Sequence, residues 1–158
     1  QALNVIFNLK LNKDKLIKLA GTVGSDVPFF INNKNAWVEG KGDILTNIYI
    51  SPCVFIMAFS KHRVSTSEMY DGISIESNRV SSSYEDFLNG HISNTFKSLV
   101  LRKYPSIKKM NSILEKFGPV YLSGSGGTLF IAENDISKAK EVFEKIPKKY
   151  NVKLITSY

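Results

Sequence analysis

From residue 54 onward the apolar residues recur with two different periods, in an order that few folds accommodate. Val54–Phe59 is an unbroken apolar run of strand length, and Val120–Leu122 and Thr128–Ala132 flank a glycine-rich turn as the arms of a hairpin do. Ser65-Thr66-Ser67-Glu68 has the spacing of a capping box and opens a short helix. Ser74–Ser83 reads as loop. Three helical patterns follow: Tyr84–Leu88; Ile92–Tyr104, with Phe96, Leu99 and Val100 on one face; and Pro105–Phe117, closed by Gly118 as its C′ residue. Ile136–Ile146 sets Ala139, Val142, Phe143 and Ile146 on one face, and Val152–Thr156 is a last strand. Strand, helices, strand, strand, helix, strand predicts an α+β unit of ferredoxin-like βαββαβ layout with extra helices in its first crossover.

Pro52 marks a boundary, and the pattern before it is less regular. Ala2–Leu9 is helix-like, with Leu3, Ile6 and Phe7 on one face, yet no N-cap residue, Pro or initiating Met precedes it. Asn12 caps a second helix with Asp14 in its first turn and Leu16, Leu19, Ala20 and Val23 at helical spacing; Gly24 ends it. Asp26 then stands just past a helix end, anchored by Val27-Pro28-Phe29-Phe30. Ile31–Lys34 reads as a polar turn, and Asn35–Glu39 and Ile44–Ile50 as strands joined by a tight turn at Gly40–Gly42.

Composition narrows the class. With 43% apolar and 22% charged residues the chain is globular, not disordered. Its longest apolar runs fall far short of the ~20 residues of a membrane span, and no basic, apolar, small-residue leader opens it. These features predict a cytoplasmic protein without membrane contact. Cys53 is the single cysteine, which excludes an internal disulfide, and neither His62 nor His91 has metal-ligand spacing with it or with the other. The net charge of +7 arises after Gly90: nine Lys/Arg balance nine Asp/Glu up to there, against twelve and five beyond. Solvated helix faces account for such a surplus, and a phosphate-rich ligand would be drawn to it.

Two features carry chemistry. Asp26, between Gly24 and Pro28, is either a turn residue or a carboxylate held still for proton transfer. Ser123-Gly124-Ser125-Gly126-Gly127 offers consecutive backbone N–H groups without Cβ obstruction, which suits a hairpin turn and equally a nest that approaches an anion. It is neither a Walker loop nor a dinucleotide fingerprint, because it lacks a Gly-Lys-Ser/Thr ending and lies between two strands.

Taken in order, Gly24-Ser25-Asp26-Val27-Pro28-Phe29-Phe30, Ala36-Trp37-Val38-Glu39-Gly40-Lys41-Gly42-Asp43-Ile44-Leu45, Val64-Ser65-Thr66-Ser67-Glu68-Met69-Tyr70 and Leu122-Ser123-Gly124-Ser125-Gly126-Gly127-Thr128-Leu129-Phe130 resemble the GHMP small-molecule kinases. The likeness is strongest to the branch that phosphorylates a diphosphocytidyl substrate in isoprenoid precursor synthesis. It implies residues 1–51 as a remnant of the family's N-terminal domain and 52–158 as its C-terminal domain. It further implies ATP with Mg2+ as donor, Asp26 as acceptor of the substrate hydroxyl's proton, Thr66 and Tyr70 as substrate contacts with Tyr70 stacked on cytosine, and Gly124, Ser125, Gly126 and Gly127 as an active-site loop. The family's Gly-Gly-Gly-Ser-Ser-Asn-Ala-Ala phosphate loop would fall just before Gln1, and its lysine partner for the aspartate has no counterpart, so the resemblance implies an inactive portion when alone. Asn94-Thr95-Phe96-Lys97 departs from the family's Asn-Asp-Leu-Glu-like segment, which points to packing there. A homoserine or mevalonate-type kinase is the nearest alternative. An RNA-binding ferredoxin-like module is the alternative of another class, but Thr128–Ala132 lacks the basic-Gly lead and paired aromatics of that family.

Overall fold

The computed structural model describes residues 1–74, 83–88 and 93–157, with no side chain of residues 87 and 88 considered. The chain divides into two compact units, Gln1–Ile50 and Ser51–Tyr158. The expected loop at Ser74–Ser83 lies largely outside the described residues, as does His91. Among the described residues no helix is long and apolar enough to cross a membrane.

In the first unit, α1 (Ala2–Ile6) is shorter than its periodicity predicts, and Leu3, Ile6 and Phe7 are all exposed. Its end is set by the backbone: Asn8 and Lys10 take positive φ, and the Asn4 side chain exchanges two hydrogen bonds with Leu11 across the turn. α2 (Lys13–Gly21) begins as expected, with Asn12 Oδ1 accepting the Lys15 N–H at 3.0 Å, but stops three residues before Gly24, where Thr22 caps it. The segment expected as wedge and turn is a helix, α3 (Val27–Asn32). Pro28 in its first turn pre-sets φ, and left-handed Asn33 ends it. β1 (Ala36–Glu39) and β2 (Ile44–Asn47) pair antiparallel, with Trp37 opposite Thr46. A polar pin joins these elements: Lys13 Nζ donates to Asn32 O and Oδ1, and Asn32 Nδ2 donates to Asn47 Oδ1, at 2.7–2.9 Å.

The second unit is the ferredoxin-like sheet. β3 (Val54–Phe59), β4 (Tyr121–Ser123), β5 (Thr128–Glu133) and β6 (Asn151–Thr156) run in the order β4-β5-β3-β6, every pair antiparallel. Ile56 lies between Ile131 and Leu154, and Ala58 between Leu129 and Val152. Alternation therefore turns Val54, Ile56 and Ala58 to one face, where α8 (Ile136–Lys145) packs on the sheet and its Ala139 and Val142 join the core. α4 (Thr66–Asp71), α5 (Tyr84–Leu88), α6 (Lys97–Lys103) and α7 (Pro105–Leu114) fill the first crossover; Met69, Val100, Ile107 and Leu114 complete the core.

Two expectations change here. The helix read from Ile92 starts only at Lys97, because Asn94 Oδ1 bonds the Phe96 N–H and so diverts the backbone from helical pairing. α7 ends at Leu114 with Glu115 as its cap, so Gly118 stands two residues beyond the position of a C′ glycine.

Candidate functional site

Asp26 occupies the junction of α2 and α3. It stands at the N-cap position of α3, yet its side chain makes no capping hydrogen bond, because its own backbone is helical (φ −86°, ψ −16°) instead of extended. Position is imposed from the other side. In the β1–β2 turn Gly42 has φ +88°, and a Cβ there would lie 1.9 Å from the carbonyl oxygen of Ser25. No side chain fits, so the turn backbone lies directly on the residue preceding Asp26. Asp43 Oδ1 fixes the turn by accepting the Lys41 N–H at 2.9 Å. Asp26 lines a cavity of about 580 Å³ whose walls include Phe29, Phe30 and Lys41. Lys41 was not singled out from the sequence; only its place between two turn glycines hinted at it.

In the second unit the structure brings together three expected features. Thr66 and Tyr70 are four residues apart on α4 and share a face. The Thr66 hydroxyl lies 2.8 Å from the hydroxyl of Ser125, so the start of α4 is bonded to the glycine-rich loop. Tyr70 is 62% exposed and stands edge-on to Phe96, ring centres 5.1 Å apart.

The capping box is only half made. Ser65 Oγ accepts the Glu68 N–H at 3.5 Å, but the Glu68 carboxylate turns to Lys103 Nζ at 2.9 Å and ties α4 to α6. The hydrogen bond and charge of Lys103 hold the Glu68 carboxyl below the usual range, and Glu68 raises Lys103 in return.

The loop is seated by its backbone. Gly126 has φ +131°, and a Cβ on it would meet Val64 at 2.9 Å and Val100 at 3.1 Å, so this residue is pressed against the core, whereas one on Gly124 would meet nothing within 4 Å. Gly127 O accepts the Ser60 N–H at 2.7 Å. Asn94 Nδ2 donates to Leu122 O at 3.0 Å and to Gly124 O at 2.8 Å, clasping β4 to the loop, while Lys97 Nζ donates to Val120 O at 2.6 Å. The sequence expectation of a packing role for this segment took no account of Asn94. Its Asn-x-Phe spacing signals a local turn, but nothing local signals a partner 30 residues away.

Among the described residues Asp26 is the only carboxylate lining its cavity, and no three of His, Cys, Asp and Glu gather as a metal-holding group. These residues do not by themselves fit a magnesium site.

Residues 83–152 match the family described as GHMP kinases C terminal. The chain is 30% identical over 149 residues to a 4-diphosphocytidyl-2-C-methyl-D-erythritol kinase of Pasteurella multocida (strain Pm70), across 94% of this chain and 50% of that protein. Against the enzyme of the same name from Buchnera aphidicola subsp. Schizaphis graminum (strain Sg) it is 28% identical over 145 residues, across 92% of this chain and 50% of that one. A solved structure, "Crystal structure of 4-(cytidine 5'-diphospho)-2C-methyl-D-erythritol kinase", shares the fold with a TM-score of 0.75 at 23% identity, over 98% of this chain and 60% of the other. The chain thus spans about half the length of the curated relatives it matches.

Proposed function

We propose, on the premise that this chain carries a GHMP kinase C-terminal domain, that it forms the acceptor-side half of an ATP-dependent kinase acting on the 2-hydroxyl of 4-diphosphocytidyl-2-C-methyl-D-erythritol. The observation that carries this reading is the hydrogen bond between Thr66 and Ser125, which ties to the glycine-rich loop the first residue of the α4 face that bears the exposed Tyr70 ring. A ring and a set of N–H donors are what a pyrimidine and its phosphates require. In this reading Tyr70 stacks on the cytosine, Thr66 and Ser125 hydrogen-bond the substrate, and the Gly124–Gly127 loop faces its phosphates with the Gly126 N–H kept by Ser123 O. Residues 1–51 are a part of the family's N-terminal domain, and the unit from residue 52 is its C-terminal domain. Asp26 takes the proton of the acceptor hydroxyl as the hydroxyl oxygen bonds the γ-phosphorus of ATP and ADP departs. The family's Mg2+ would offset phosphate charge during transfer; no step assigned to these residues runs through it.

Cytidine 5′-diphosphate titrated into the chain tests the reading. Binding tighter than that of adenosine 5′-diphosphate, lost roughly ten- to a hundredfold in Tyr70→Ala and kept in Tyr70→Phe, is expected, since removing a stacked ring costs about 1–3 kcal/mol. Equal affinity for both nucleotides, or a Tyr70→Ala variant that binds as wild type, would return the choice to homoserine or mevalonate-type relatives.

One observation bears on the RNA-binding alternative. Phe55, Phe130 and Tyr121 form a row on the sheet, but Phe55 stands edge-on to Phe130 and Tyr121 stacks on it, with ring centres 5.4–5.7 Å apart, so the rings pack on one another. Single-stranded RNA at ~0.15 M salt should associate only weakly and without sequence preference; discriminating, tight binding would make this the better reading.

A further inference from the structure

A second cavity, of about 310 Å³, opens beside the first turn of α7, a size that suits a small ligand. Its floor is apolar, formed by Phe59 at the end of β3, buried Met110 and half-buried Tyr150. Its rim is basic: Lys61, His62 and Lys149 line it, and among the described residues no carboxylate does. The Lys149 ammonium is seated over the Tyr150 ring, 5.4 Å from its centre. Ser106, also on the wall, lies in the first turn of α7, whose N-cap Tyr104 supplies no side-chain acceptor. Pro105 brings no N–H to this turn and the Ile107 N–H donates to Tyr104 O at 3.0 Å, so Ser106 is the first-turn residue that offers polar groups to the wall. Solvated lysines on convex helix faces explain a basic sequence. They do not explain two ammonium groups around an apolar hollow that no carboxylate lines among the described residues.

We propose that this cavity binds a small phosphomonoester with an apolar body, its phosphate held by Lys61, Lys149 and Ser106 and its body laid over Phe59, Met110 and Tyr150. Ser60, on the cavity wall, donates its N–H to Gly127 O, so the ligand adjoins the backbone bond that anchors the glycine-rich loop. The site is separate from the nucleotide contacts assigned to Tyr70 and stands without them.

Phenyl phosphate titrated into the whole chain, followed by amide resonances, is the test, with inorganic phosphate and phenol as parallel arms. Phenyl phosphate should shift Ser60, Gly127 and Tyr150 and bind about tenfold or more tighter than either fragment, since ring burial and charge act together. Rising salt should weaken it. Lys61→Ala and Lys149→Ala, both at exposed positions, should each weaken it about tenfold with unchanged circular dichroism, while Tyr70→Ala binds as wild type. Inorganic phosphate binding as tightly as phenyl phosphate, lysine variants without effect, or shifts confined to α4 and Tyr70 would each overturn the proposal.

Discussion

The two units of this chain hold their candidate site residues by different physics. Among the described residues the apolar core is a cluster of fifteen buried side chains, all after residue 53. In Gln1–Ile50 only Ala20, Pro28 and Asn32 are buried, while Leu3, Phe7, Leu19, Val23 and Phe30 are more than half exposed. Thr66 and the glycine-rich loop therefore rest on a dehydrated core, which resists distortion because interiors are close-packed. Asp26 rests on a backbone contact at Gly42 and on the Lys13–Asn32–Asn47 pin, interactions that are directional and tolerate exposure. The difference teaches that a residue can be placed by the shape of a core beneath it or by one backbone approach that leaves a Cβ no room, as Gly42 leaves none against Ser25.

The sharpest division is between chemistry and stability. In an active kinase carrying this chain, Asp26→Asn should lower kcat by about 10²–10⁴-fold and leave the melting temperature within about a degree, since the carboxylate caps nothing. A variant that loses both activity and stability would make Asp26 a structural residue. Next come the core and its absence. Leu129→Ala, at a fully buried position, should cost about 2–5 kcal/mol in urea unfolding, and Leu19→Ala, at 56% exposure, less than about 0.5 kcal/mol. Comparable losses would erase the contrast.

Glycine substitutions separate the two kinds of support more finely. Gly126→Ala meets Val64 and Val100 and should destabilise the second unit by about 1–3 kcal/mol, exceeding Gly124→Ala, which meets only the backbone preference. Gly42→Ala meets the Ser25 carbonyl, so it should move the amide resonances of Ser25 and Asp26 while core resonances from β3 and β5 stay in place. Ser25 and Asp26 resonances that stay in place would mean that the turn does not bear on them.

Within the core itself, buried Asn111 has an Oδ1 without a hydrogen-bond partner among the described residues. Asn111→Leu should raise stability by about 1 kcal/mol, the cost of an unpaired buried acceptor removed.

The smallest effect is electrostatic. Because the folded Glu68 pKa lies below its ordinary 4.5, its contribution is present above that value and is lost as acid protonates the folded carboxyl. Because the Lys103 pKa is raised above 10.5, its contribution is present below that value and is lost as pH rises beyond it. Lys103→Met should flatten the acid limb of a melting-temperature profile slightly, by little because the pair is exposed. An unchanged acid limb would show that the pair contributes nothing measurable.

Much of the second unit was legible because its signals are periodic and repeated. Val54–Phe59 announces a buried strand by apolarity alone, and the glycine run announces the hairpin. What failed to show were interactions between distant residues. Asn94 reads as an ordinary turn former until it is seen clasping Leu122 and Gly124. Val27–Asn32 reads as a wedge because Pro28 is usually a breaker; its missing N–H costs nothing in the first turn of a helix, and that is where it falls. The proximity of Gly42 to Ser25 has no local signature at all, since a turn glycine looks the same whether it faces solvent or a backbone carbonyl.

The pairing of β3 with β6 sets Val54 against Thr156 and Phe59 against Asn151, strands about a hundred residues apart. During synthesis Val54–Phe59 emerges long before its last partner, and this apolar, uncharged stretch then carries a row of unsatisfied N–H and C=O groups. Cotranslational folding of the sheet cannot finish until residues 151–156 have left the ribosome, because no earlier segment fills that edge. A nascent chain stalled before Asn151 would expose a ready template for intermolecular strand addition, which makes the last strand a guard against aggregation as much as a part of the core.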